Sequence, residues 1–185
     1  MADHLHPSPP AVVRLTHYAV VRLTHYTEAE KTEILGDGTD PFGVAYAGLT
    51  WLPKEHHFGV RLGGRLVAHA GLLRLPISIG GDSTEAVGVG GVAVAPDVRG
   101  RGLARQVIAA ALDHARTMGP QHGLLFCRRP LVPLYERLGW RALDQDVHVE
   151  QPDGPVLMPL RTMVTPLHDR ASWPDGAVRL LSFPM

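Results

Sequence analysis

The chain has a single cysteine, Cys127, among 185 residues. No intrachain disulfide can form, so the fold rests on its core alone, as expected of a cytoplasmic protein. There is no charge excess either: 18 basic side chains stand against 18 acidic ones. A nucleic-acid-binding face needs surplus cations to displace counterions from phosphates, and a polybasic membrane anchor needs the same, so neither partner is expected. Long hydrophobic runs are missing. Gly, Arg or Pro interrupts every apolar stretch well short of the ~20 residues that span a bilayer. Residues 1–10 carry His and Pro but no apolar stretch, so they do not read as a secretory signal. What is present is a 45% hydrophobic content, enough for one domain with a real core and too little chain for two.

The octapeptide AVVRLTHY occurs twice in tandem, at residues 11–18 and 19–26. Each copy alternates like a half-buried strand; in the second, Val21 and Leu23 share one face, Arg22 and Thr24 the other. Only the second copy leads into Thr27-Glu28-Ala29-Glu30, a capping-box pattern that starts a helix. The domain is therefore expected over residues 20–165, with an extension at 1–19 and a tail at 166–185.

Helix is predicted at 27–35, ending on Gly36-Asp37-Gly38, and again at 41–51, where Asp40-Pro41 reads as N-cap and first turn. Turns at Gly63-Gly64 and Gly80-Gly81-Asp82 divide 57–62, 65–78 and 84–95 into an antiparallel meander. Leu103, Val107, Ala111, Ala115 and Met118 mark an amphipathic helix over 103–118. A strand at 123–128, a short helix at 130–138 and strands at 140–142, 147–150 and 156–160 complete an α/β pattern. Its central sheet is mixed.

The segment with most chemistry runs from Gly91 to Ala104. A strand ends near Pro96, a loop rich in Gly and Arg follows, and a helix begins near Gly102. Glycines allow tight turns and close approach of a ligand. Free amides at a helix start face an anion, and Arg99 and Arg101 add positive charge. The Gly-Lys-Ser/Thr ending of a P-loop is absent, as is the dinucleotide Gly-x-Gly-x-x-Gly after a parallel strand. No His or Cys spacing among the eleven histidines and one cysteine suggests a metal site.

Arg99-x-x-Gly102-x-Ala104, together with Leu134-Tyr135-Glu136-Arg137-Leu138-Gly139-Trp140, resembles the two signatures of the Gcn5-related N-acetyltransferases (GNAT). The likeness covers about residues 20–160. It implies the GNAT fold, an α/β fold with a mixed, mostly antiparallel central sheet flanked by helices, and an acyltransferase using acetyl-CoA as co-substrate. Backbone groups of Val92, Ala93 and Val94 would pair with the pantetheine arm like an added strand. Amides of Arg99, Gly100, Arg101, Gly102, Leu103 and Ala104 would hold the pyrophosphate. Tyr135 would protonate the departing thiolate. Many members place a Glu just ahead of the cofactor strand's Val-x-Val, whereas Gly90 stands there in this chain. Glu85 is the nearest carboxylate and the candidate base, with a water chain or a backbone carbonyl as alternatives; His69, in an apolar setting, reads as a buried structural histidine.

The acceptor is expected to be a small-molecule primary amine, and a homodimer is left open. The shorter stretches Arg65-Leu-Val-Ala-His-Ala-Gly-Leu-Leu and Gly91-Val-Ala-Val are similar to aminoglycoside 2′-N-acetyltransferases and nodulation N-acyltransferases, which implies an amino sugar. A cationic acceptor of that kind wants an acidic pocket, for which Glu85, Asp144, Asp146 and Glu150 are candidates. The rival reading is a non-catalytic acyl-CoA-binding scaffold that has lost its base, favoured by Gly90 and opposed by Tyr135 and the intact loop.

Overall fold

The computed structural model of the chain describes residues 18–36, 38 and 40–185. The first copy of the octapeptide lies almost wholly outside them. The second supplies strand β1 (Val20–Leu23), antiparallel to β2 (His56–Leu62). Helix α1 (Glu28–Leu35) starts on the capping box: Thr27 Oγ1 accepts from Glu30 N, and Glu30 Oε2 accepts from Thr27 N. The two exchanged bonds satisfy donors that a helix start otherwise leaves open.

Strands β3 (Arg65–Ile79) and β4 (Asp82–Val94) form the spine of the sheet, antiparallel to each other. Helix α2 (Leu103–Ala115) follows, then β5 (His122–Cys127), the short α3 (Val132–Glu136), β6 (Arg141–Ala142), β7 (Val147–Val149) and β8 (Val156–Leu157). Two further strands, β9 (Arg161–Pro166) and β10 (Val178–Leu180), were not expected. The sheet runs β6-β9-β5-β4-β3-β10-β7-β8, with β1 and β2 continuing from β3; only β4–β5 and β7–β10 are parallel. This is the mixed, mostly antiparallel α/β arrangement that the family resemblance implied.

Three expectations need correcting. Residues 41–51 form no α-helix. The Asp40 carboxylate does accept from Val44 N and Ala45 N, both at 2.9 Å. Gly43 and Gly48 then adopt left-handed φ of 64° and 61°, which leaves only a 3-10 turn at Ala45–Ala47. The strand expected at 156–160 ends at Leu157. The residues set apart as a tail from 166 onward contribute β10, and Val178, Leu180 and Met185 are buried in the core.

A bulge in β4 divides the two faces. β3 advances from His69 to Gly71 while β4 runs from Ala93 back to Gly90, and Gly91 takes φ of 60°. One extra residue reverses which side chains point which way. Val87 and Val89 therefore join the core under α2, with Val107 and Ala111, whereas Ala93 packs with Ile34 of α1 on the other face.

Candidate active site

β4 and β5 pair only at Val87–Gly123 and Gly88–Leu124, after which β5 stays with β9 as far as Cys127. The edge of β4 from Val89 onward therefore faces a gap instead of a neighbouring strand. A cavity of about 320 Å³ occupies that gap. Val89, Gly90, Gly91 and Val92 form one wall, Phe126 and Cys127 the other. Two predicted site residues, Val92 and Tyr135, both line it.

Tyr135 is carried by α3 and is 7% exposed. Gly139, at φ of 85°, ends the helical segment and turns the chain so that Trp140 meets the Tyr135 ring edge-on, with centroids 6.2 Å apart. The Gly-Trp step of the second signature thus fixes the tyrosine. Burial raises the Tyr135 pKa to about 12, with Cys127 adding to it, and burial raises the Cys127 thiol to about 11. Both groups are therefore protonated at neutral pH. The Cys127 thiol, a poor nucleophile in that state, packs 3.6 Å from Met163 Sδ.

Beyond the cavity, Pro96–Val98 forms a 3-10 turn and Arg99 Nε donates to Val94 O at 3.2 Å. Gly100 and Gly102 have φ of 79° and 76° with open space around them, so their conformation, not crowding, calls for glycine. Gly102 is the N-cap of α2 and provides no side-chain cap, so the first amides of the helix stay uncapped by it, beside Arg101 and Leu103. This loop and the cavity lie at the same end of β4, as the sequence reading required.

Glu85 is placed elsewhere. It is half-exposed, pairs with Arg74 at 3.4 Å, and is six residues along β4 from Gly91, roughly 20 Å at the rise of a strand. Its side chain also projects on the opposite face from Gly90, five residues away. The acidic pocket is not found either: among the described residues no Asp or Glu side chain lines the cavity. Asp144 and Asp146 are exposed, and Glu150 pairs with Arg179 at 2.6 Å.

His69 is buried, as its apolar flanks suggested. Its Nδ1–H donates to Gly91 O at 2.7 Å, since a carbonyl can only accept. Nε2 must then accept from His57 Nδ1–H at 2.9 Å, and the ring stacks on Tyr26 at 3.9 Å. Burial lowers the His69 pKa to about 4, so the ring is neutral and props the carbonyl of the bulge.

Sequence reasoning missed Lys54. Gly71 and Gly90 are cross-strand partners, and the lysine stem lies across both. A Cβ on Gly71 would meet Lys54 Cγ at 2.5 Å; one on Gly90 would meet Cε at 2.8 Å and Nζ at 3.4 Å. Neither glycine has a left-handed φ, so their use here is to leave a groove. Among the described residues the ammonium has only a long 3.5 Å contact, to Leu52 O, and burial, aided by Lys31, lowers its pKa to about 8. Met185 also reaches the cavity, with Leu52 N donating to Pro184 O beside it.

Among the described residues no group of three or more His, Cys, Asp or Glu is placed to hold a metal ion. No described helix is long and apolar enough to cross a membrane.

Comparison with solved structures finds the same fold. The GNAT family N-acetyltransferase YhbS from Escherichia coli, in complex with CoA, superposes with a TM-score of 0.58 at 19% identity, over 95% of this chain and 93% of that one. A GNAT family acetyltransferase from Brucella melitensis in complex with acetyl-CoA gives 0.51 at 17% identity, over 88% and 96%. The ribosomal-protein-S18-alanine N-acetyltransferase from Escherichia coli gives 0.53 at 17%, over 84% and 100%. No curated protein sequence matches the chain. The family model for the acetyltransferase (GNAT) domain matches residues 46–143, more than half of the chain. With the gap beside β4, the uncapped start of α2 and the buried Tyr135 all inside that span, the chain belongs to the GNAT acetyltransferase family and is an acyltransferase.

Proposed function

We propose that the protein transfers an acetyl group from acetyl-CoA to the primary amine of a small molecule, by direct attack of the amine on the thioester. The observation that carries this reading is the cavity where β5 leaves β4, with Val92 on one wall and Tyr135 at its edge. The edge of Val92, Ala93 and Val94 that faces away from β3 pairs with the pantetheine arm as an added strand would, and an amide of the bulge polarises the thioester carbonyl. Amides from Arg99 to Ala104, at the start of α2, hold the pyrophosphate. A cavity of about 320 Å³ suits an acceptor of small-molecule size.

Tyr135 gives its proton to the sulfur as the C–S bond breaks. A phenol at about 12 looks too weak for that duty if the thiol keeps its aqueous value. Yet Cys127 is a thiol in the same cavity, and burial holds it at about 11. Desolvation lifts phenol and thiol together, so their separation stays near the one to two units found in water and proton transfer remains feasible. Glu85 has no part in this scheme, because its position puts the cavity out of reach. Nor does an amino sugar with several cationic groups suit a cavity walled by apolar side chains, Lys54 and Arg128.

The test is release of free CoA thiol when the purified protein and acetyl-CoA meet a panel of primary amines. Amine-dependent release, abolished by heat and slowed in Tyr135→Phe, is the expected outcome. Binding of acetyl-CoA with no release for any amine would favour the non-catalytic acyl-CoA-binding scaffold.

A further inference from the structure

The chain contains two lysines, Lys31 and Lys54. Lys31, on α1, is partly exposed and pairs with Glu28. Lys54 is the reverse case. It lies in the groove left by Gly71 and Gly90, its Nζ 3.4 Å from where a Gly90 side chain would begin and its Cε 3.9 Å from the corresponding point at Gly91. It thus lines the same cavity as Val92 and Tyr135, beside the bulged backbone to which the thioester is assigned above.

N-acylation by a thioester needs an uncharged amine, a reach of a few ångströms to the carbonyl carbon, and a donor for the departing sulfur. Lys54 lies beside the backbone to which the thioester is assigned, Tyr135 lines the same cavity, and burial favours the neutral amine. The groups that face it are Lys31 from α1, His57 from β2 and His69 from β3, with Arg128 in the same cavity lining, and among the described residues the cavity presents no Asp or Glu side chain to hold its charge. We propose that Lys54 is an acceptor in its own right, and that the protein acetylates itself there from acetyl-CoA bound in the cavity. The inference rests on the reading of the cavity as the acetyl-CoA site.

The Nζ lone pair forms the C–N bond to the acetyl carbon while the C–S bond breaks and its electron pair goes to sulfur. Tyr135 supplies the thiol proton, and the proton shed by the new amide nitrogen returns through water to the phenolate. The products are free CoA and an uncharged Nε-acetyl-lysine. The acetylated side chain occupies the space beside Gly90 that an outside amine needs, so modification shuts the enzyme down.

The experiment follows the purified chain with acetyl-CoA by intact mass and peptide mapping, alongside the acetyl-CoA thermal shift. One acetyl group should appear per chain, mapped to Lys54. At pH 7.5 an amine with a pKa of about 8 is roughly one-quarter neutral, against roughly one in a thousand for an ordinary lysine. Lys54 should therefore react on the order of 100-fold faster than Lys31, with a rate that rises with pH and levels off above about 8. Lys54→Arg should keep the thermal shift and lose the modification; Tyr135→Phe should keep both the shift and Lys54 but slow the reaction. A thermal shift with no acetyl group on Lys54, or equal labelling of Lys31 and Lys54, overturns self-acetylation while leaving the cavity's assignment intact. Absence of both shift and modification overturns the two together.

Discussion

The two ends of the site are built in different ways. At the cofactor end, the loop from Arg99 to Ala104 and the start of α2 form one continuous stretch, with Gly100 and Gly102 setting the backbone. At the acceptor end, Lys54, Phe126 and Met185 arrive from a loop, a strand and the last residue of the chain. A continuous stretch carries its own signature and tolerates little change. An assembled wall has no signature, and its chemistry depends on side chains that other segments leave room for. The cofactor end should therefore fail outright when its motif is broken, and the acceptor end should fail by degrees.

The largest effect is expected from Gly102→Glu, which forces a side chain into a left-handed backbone and sets a negative charge where the pyrophosphate is proposed to bind. The acetyl-CoA thermal shift should vanish while the protein stays folded by circular dichroism. Tyr135→Phe is next. Affinity for acetyl-CoA should survive, and turnover, measured as thiol release with chemistry confirmed as the slow step, should fall by about 10²–10⁴-fold. Parental turnover would show that the thiolate takes its proton elsewhere.

Leu180→Ala tests whether the last strand belongs to the fold. Leu180 is 1% exposed in β10, and truncating a buried leucine costs about 2–5 kcal/mol. Urea denaturation should show that loss, with acetyl-CoA still binding to the folded fraction; an unchanged midpoint would mean that residues 166–185 are dispensable. His69→Asn is subtler. A histidine held at about 4 in the folded chain titrates near 6.5 when unfolded, so the unfolded state binds more protons between those values. Stability from this group is complete above pH 6.5 and is lost as pH falls toward 4, on the order of 3 kcal/mol in all. Asparagine keeps a donor for Gly91 O and removes the titration, so the slope of stability against pH between 6.5 and 5 should flatten. Glu85→Gln should do least, leaving turnover within about twofold, because the residue is half-exposed and far along β4.

The same division explains what the sequence made legible. The capping box at Thr27, the meander of β2 to β4 and α2 are local or periodic patterns, and each is found where the pattern put it. Tyr135 was reachable because a Gly-aromatic step follows it at fixed spacing. The predicted helix at 41–51 failed because Gly43 and Gly48 take left-handed conformations that the Asp-Pro signal could not reveal. β10 was missed because three residues with no periodicity of their own are held by β3 and β7. Gly90 read as a missing acid. Its meaning depends on Gly71, nineteen positions earlier, and on the lysine lying across both. Only the scarcity of lysine in the chain hinted that Lys54 was unusual.

The central claim is that acetyl-CoA lies along the unpaired edge of β4 and against the start of α2. Amide hydrogen exchange of the full chain, with and without saturating acetyl-CoA, tests it most directly. Protection should concentrate in peptides covering residues 89–104, with those of β7, β8 and β10 unchanged. Thermal stabilisation by acetyl-CoA without added protection in 89–104 would place the cofactor elsewhere and contradict the account.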